Sequence, residues 1–379
     1  MIRKQVLDRI EAGYALLVGR ASYGDFLFVG SEKKDGESRV IRLDTREVSL
    51  ATAEVGGMMQ IVPIPSDSGA EQAGYLAAMG MYAPFIGRDA AVYHLRPATE
   101  WGEPWTVEKL FDLPFAHRLG FAQLGRRVYL FVGVVSDDKN DPDDWTQPGR
   151  LYVTDLFKGL TRGEWELHSI GHGLFRHHGM WTGTLDGQRK LLVSAAEGLF
   201  AVRAVSTSGD DDATAALPGH GFGLEGIIRQ EISEMVVSDI DGDGIDEIVA
   251  IEPFHGHRLR VYKRHNGNQG CPTHDNWRPV WERDDLSFAH GLNVVPTGER
   301  KLIVVGNRRD GCELLGFDPG NLRGDVRRIV LDEGVGPTQI EPWFGAVSNH
   351  RVAERVALIS CNQAAGEVAM YDVSDIVGA

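Results

Sequence analysis

Ile232-Ser-Glu-Met-Val-Val-Ser238 is followed by Glu247-Ile-Val-Ala-Ile251, Leu259-Arg-Val-Tyr-Lys263 and Trp277-Arg-Pro-Val-Trp-Glu282. These four runs have strand length, are punctuated by Gly, Asp, Asn and Pro, and are interrupted by no helical period, so they read as an antiparallel meander. The strands are lettered A (inner) to D (outer). The same order returns in His290-Gly-Leu-Asn-Val-Val295, Lys301-Leu-Ile-Val-Val305, Glu313-Leu-Leu-Gly-Phe317 and Val326-Arg-Arg-Ile-Val-Leu331, and again from His117 to His168 and from His177 to Arg229. Inner runs open near Tyr14, Met58, His117, His177, Ile232, His290 and Thr338, which makes seven units. The last unit stops after three strands, and Gln5-Val-Leu-Asp-Arg-Ile-Glu11 can supply its fourth. The expectation is an all-β, seven-bladed β-propeller with four antiparallel strands per blade, residues 1–379 forming one domain. The N-terminal strand would complete the last blade and so remove the edges of an open sheet. Two packed β-sandwiches explain the regular period less well.

Three Phe-X-His tripeptides stand at the tops of inner runs: Phe115-Ala-His117, Phe175-Arg-His177 and Phe288-Ala-His290. A side chain returning at the structural period occupies the same place in successive repeats, and in a closed ring those places converge on the axis. His117, His177 and His290 are therefore expected to bind a divalent transition metal, zinc or similar, since imidazoles with few carboxylates suit such ions better than magnesium or calcium; metal-free catalysis and plain packing at the strand tops are the alternatives. The B–C loop of the intervening blade, Glu252-Pro-Phe-His-Gly-His257, faces the same mouth, with His178 and Arg118 beside it. Tyr82, Asn307 and Arg308 fall on neighbouring loops of that rim.

Asp239-Ile-Asp-Gly-Asp-Gly-Ile-Asp-Glu247 sets carboxylates at alternate places of a tight loop, and Ile245 can offer its carbonyl. Calcium takes oxygen ligands in such loops, so Asp239, Asp241, Asp243, Ile245 and Glu247 are expected to form a structural calcium site. Joining strands A and B, the loop belongs to the face opposite the histidines. Here the chain resembles the FG-GAP or VCBS repeat family of β-propellers, in which a loop of this type joins the first two strands of a blade.

The net charge of −15 and the lack of a basic patch argue against a nucleic-acid surface. No apolar run is long enough to span a membrane. An N-terminus without the apolar core of a signal peptide, and Cys271, Cys312 and Cys361 without metal-type spacing, suit reduced thiols and a cytoplasmic location. Oligomeric state is open. Nucleophile elbows, P-loops and dinucleotide fingerprints are absent.

Blade order, acidic loop and histidine-bearing strand tops also resemble the propeller part of the aldos-2-ulose dehydratases, sugar lyases that carry cupin domains besides. No cupin segment is expected within residues 1–379. The resemblance implies a small-molecule sugar substrate and a metal-dependent lyase or dehydratase acting on a keto-sugar of the aldos-2-ulose or 1,5-anhydrofructose type, by proton abstraction α to a carbonyl and β-elimination. One of His255, His257 and Glu252 would take the proton, His178 would protonate the leaving oxygen, and Arg118, Tyr82, Asn307 and Arg308 would hold hydroxyls. A non-catalytic propeller binding a glycan or protein, and a metal-dependent hydrolase of lactonase type, are the alternatives.

Overall fold

The computed structural model describes residues 2–66, 74–82, 85–156, 160, 162–163, 165–205, 221–265, 276–297, 300–320, 322, 326–345, 355–374 and 376. Its 28 strands form seven four-stranded antiparallel sheets. Six sheets run A to D in chain order. The seventh pairs the chain's first strand, Arg3–Arg9, with its last, Glu367–Asp372, in a register that sets Val6 opposite Ala369. The ring is thus closed by the strand expected to close it. No helix of the described residues is long and apolar enough to cross a membrane.

The inner strands are Gly13–Ala21, Gln60–Pro63, Ala116–Leu124, Met180–Leu185, Glu234–Ser238, Ala289–Thr297 and Pro337–Gly345, for blades one to seven. Burial explains why the middle strands read as unbroken apolar runs: each has both faces covered by neighbouring blades. Ile303, Val304 and Val305 are all fully buried. Between blades six and seven, Val304, Leu314, Leu358, Ala369 and Tyr371 form one such layer. Outer strands are largely solvated, as in Trp277–Arg283, where Trp277 alone is buried. Cys312 and Cys361 are free thiols. Cys271 lies outside the described residues.

Candidate metal centre at the channel mouth

A backbone device repeated around the ring positions the site. Ala12, Gly57, Phe115, Arg176, Phe288 and Gly336 have φ of 50, 65, 59, 51, 55 and 56°. For the four that are not glycine, this left-handed conformation costs about 1–3 kcal/mol each, a strain that the surrounding structure must hold. Two residues later in each blade stand Tyr14, Met59, His117, His178, His290 and Thr338. Tyr14, His117 and Thr338 sit in β-bulges, unpaired between Gly13 and Ala15, Ala116 and Arg118, and Pro337 and Gln339. A bulge re-aims the side chain it carries. In blades one and three it turns Tyr14 and His117 to the mouth of the central channel, whereas the Thr338 hydroxyl turns back onto the carbonyls of Gly13, Tyr14 and Cys361.

This device corrects the tripeptide pattern in blade four. There the left-handed residue is Arg176 rather than Phe175, so His178 is the equivalent of His117 and His290. His177 turns the other way, between blades. Its Nδ1 donates to the carbonyl of Ser194 at 2.9 Å, and a Cβ on Gly133 would stand 2.6 Å from its Nε2. Burial lowers its pKa to about 4. His177 is therefore an inter-blade packing residue, and its place in the expected metal set passes to His178.

His178, His255 and His290 bring one ring nitrogen each within 4.8 Å of one another. The Nε2 atoms of His178 and His255 are 3.1 Å apart. Two nitrogens bound to one tetrahedral ion at zinc distances are about 3.3 Å apart, so this spacing fits a shared ion. The outward nitrogens are pinned. His290 Nδ1 faces the carbonyl of Thr338. His178 Nδ1 lies 2.9 Å from Glu234 Oε1 and 3.3 Å from the carbonyl of Ser233. Because those oxygens can only accept, the ring protons sit on Nδ1 and the Nε2 lone pairs face inward, the arrangement that outer partners impose on metal-binding histidines. Burial, then the positive charge of Arg118 or of neighbouring imidazoles, holds His178, His255 and His290 well below the usual histidine range. All three are neutral, as ligands must be.

His117 completes the group, its ring 4.7 Å from that of His178. Arg118 donates to its Nε2 at 3.4 Å, which leaves the proton on a buried Nδ1 that meets no partner among the described residues. Two further members escaped the sequence reading. The Tyr14 hydroxyl is 2.9 Å from His290 Nε2, and burial raises its pKa. Glu234 binds Arg118 at 2.7 Å while supporting His178. Both stand at inner-strand tops, and that position was the signal available.

Other expected residues lie elsewhere. Glu252 is buried under Tyr262 and Arg260, the latter at 3.0 Å, and takes no part in the cluster. His257 is exposed. Asn307 is used internally, accepting from Ser287 N–H and donating to Glu313 at 3.1 Å. Arg118 lines a cavity of about 230 Å³ in the channel below the histidines. Tyr82 and Arg308 line another, of about 240 Å³, whose Phe85 and Phe288 walls pack on His255.

The acidic loop joins Glu234–Ser238 to Glu247–Glu252, at the end of the inner strand away from the histidines. Asp239, Asp241 and Glu247 bring oxygens within 4.8 Å of one another, as an ion requires. An internal cation is already among them: Lys263 Nζ lies 2.8, 2.6 and 2.8 Å from Asp241, Asp243 and Glu247. Burial works against its charge, but the three carboxylates outweigh it and raise its pKa.

No family model matches the chain, and no curated protein does, so the FG-GAP/VCBS resemblance rests on the loop and the blade order. Among solved structures, the chain is similar to the β-propeller domain of Cps50 (Swd1) from Myceliophteria thermophila, with 14% identity over 98% of this chain and 100% of that one and a TM-score of 0.55. Sqt1 of Saccharomyces cerevisiae gives 10% identity over 98% of both chains and a TM-score of 0.54. The PQQ-bound aldose sugar dehydrogenase (Adh) of Streptomyces coelicolor gives 14% over 98% of both, with a TM-score of 0.45. Likeness at such identities extends to architecture alone: the chain is a seven-bladed β-propeller with four antiparallel strands in every blade.

Proposed function

We propose that the protein is a metal-dependent carbon–oxygen lyase acting on a sugar-like carbonyl compound at the channel mouth. One observation carries this reading: three buried, neutral imidazoles converge, two of them with their outer nitrogens pinned so that the inner lone pairs point together. Burying several imidazoles side by side is costly unless something pairs with them. His178, His255 and His290 would hold the ion, which supplies Lewis acidity toward a carbonyl oxygen when bound. Glu234 orients His178 and neutralises Arg118. Tyr14 keeps its proton at neutral pH because it is buried; with His290 Nε2 engaged elsewhere, its hydroxyl is free to donate to a leaving oxygen, and Glu234, which lines the same cavity, would take the proton α to the carbonyl. The unpaired N–H of His117 is a donor for a developing oxyanion.

Metal analysis of the purified protein tests the ligand set. His178→Gln and His290→Gln should each lose the metal, whereas His177→Gln should keep it. Metal retained in the first two, or none in the wild type after incubation with zinc, removes the metal reading. Incubation with 1,5-anhydrofructose and aldos-2-uloses tests the chemistry: elimination leaves an unsaturated product absorbing in the ultraviolet. A product that has gained water would indicate a hydrolase, and sugar binding without turnover a binding propeller.

The acidic loop on the far face is proposed as a structural staple in which Lys263 and calcium compete for the same carboxylates.

A further inference from the structure

Two consecutive guanidiniums, Arg308 and Arg309, line the cavity of about 240 Å³ that shares its Phe85 and Phe288 walls with the histidine cluster. They lie 5.5 and 4.3 Å from the centre of the Phe288 ring. Stacking of this kind fixes a guanidinium while leaving its N–H edge free. Among the described residues neither arginine has a carboxylate within ion-pair distance. The side-chain hydrogen bond of Arg308 goes to an uncharged amide, Gln363. Glu32 is the carboxylate in the cavity lining, and it accepts from Gln363 at 2.8 Å. The cavity thus carries two guanidiniums against one carboxylate in a chain whose net charge is −15. Hydroxyl groups alone would not need this surplus, because neutral amides serve them; the half-buried guanidinium of Arg308, with the exposed Arg309 stacked beside it, is matched by an oxyanion in a two-pronged grip.

We propose that Arg308 and Arg309 receive an oxyanion of the substrate, a carboxylate or a phosphate ester, so that the substrate is an anionic sugar rather than a neutral keto-sugar. The inference rests on the lyase reading for where the reacting carbon sits, beside His255. It also adds a chemical reason for the pair. Removing a proton from carbon next to a carboxylate creates a second negative charge, and arginines already neutralising the first lower that cost.

Calorimetric binding of D-glucuronate, D-glucose 6-phosphate and D-glucose to wild type and to an Arg308→Gln/Arg309→Gln variant tests the proposal. At least one anionic probe should bind wild type about tenfold or more tightly than glucose, equivalent to about 1.4 kcal/mol, and the variant should lose that preference. Which anion binds tells carboxylate from phosphate. Equal binding of glucose and both anions, no binding of either anion, or an unchanged preference in the variant overturns the proposal. Metal content and melting temperature of the variant should match wild type. Anion binding that survives in a metal-free His178→Gln protein separates the two readings: loss of metal chemistry alone leaves the arginine site standing, and loss of anion preference alone leaves the metal site standing.

Discussion

Replacing Lys263 by Met removes an ammonium that neutralises three carboxylates while keeping most of the side chain's stem. Glu247 is fully buried, and its Oε1 has Lys263 as its neutralising charge at 2.8 Å. Asp241 and Asp243 are 15% and 44% exposed, so water screens part of their charge. Breaking a fully buried pair costs about 3–5 kcal/mol; with this screening, Lys263→Met should lose about 2–3 kcal/mol in chelator. The vacated carboxylates then become a calcium loop. With a dissociation constant of about 0.1 mM, as in weak calcium modules, about 10 mM calcium returns about 2.7 kcal/mol. In wild type the ion must first displace the ammonium. If that costs about 2 kcal/mol, the apparent dissociation constant rises to about 3 mM and calcium adds only about 1 kcal/mol. Urea denaturation of both proteins, each with EDTA and with calcium, reads all four numbers. A variant as stable as wild type in EDTA, or an equal calcium response in both, refutes the reasoning.

Other outcomes follow from buried groups. His177 has a folded pKa of about 4 against an ordinary 6.5, so its neutral form favours the folded state fully above about pH 6.5, and that contribution, about 3 kcal/mol, is lost as pH falls toward 4. His177→Gln keeps a donor for Ser194, so its stability deficit relative to wild type should shrink by about that amount between about pH 7 and pH 4 in denaturant titrations; parallel pH profiles would count against the assignment. Gly133→Ala forces a methyl group to 2.6 Å from His177 Nε2 and should cost about 1–3 kcal/mol, with the metal content unchanged. Leu7→Ala, in the ring-closing strand and 8% exposed, should lower the denaturation midpoint by the equivalent of about 2–4 kcal/mol, and an unaffected midpoint would mean that the closing strand adds little.

The blade count was legible because middle strands, buried on both faces, appear as apolar runs at a steady period, and because the last unit was visibly short of one strand. The site was legible by region more than by residue. Successive residues of a strand face opposite sides, so a one-residue slip exchanges channel for interior. Phe175-Arg-His177 fits the same Phe-X-His pattern as Phe115-Ala-His117, yet the left-handed turn falls at Arg176 and carries His178 inward instead. Nothing local distinguishes Arg176 from Phe175 as the residue taking that turn. Tyr14 and Glu234 were missed because a search for histidines passes over a phenol and a carboxylate. Lys263 was missed because it lies 16 residues beyond the end of the loop it neutralises, on the strand paired with Glu247–Glu252, a contact that only the folded sheet creates.

The left-handed turn two residues before each mouth-facing side chain makes the centre divisible. Tyr14, Met59, His117, His178 and His290 stand at the tops of inner strands of five separate blades, so each can be exchanged without changing the strand pairing of the other four. On the metal-site proposal, ligands would be exchangeable one blade at a time, one gained at Met59 offsetting one lost at His290. A library confined to these positions would explore new reactions on a scaffold whose stability is held elsewhere, between the blades.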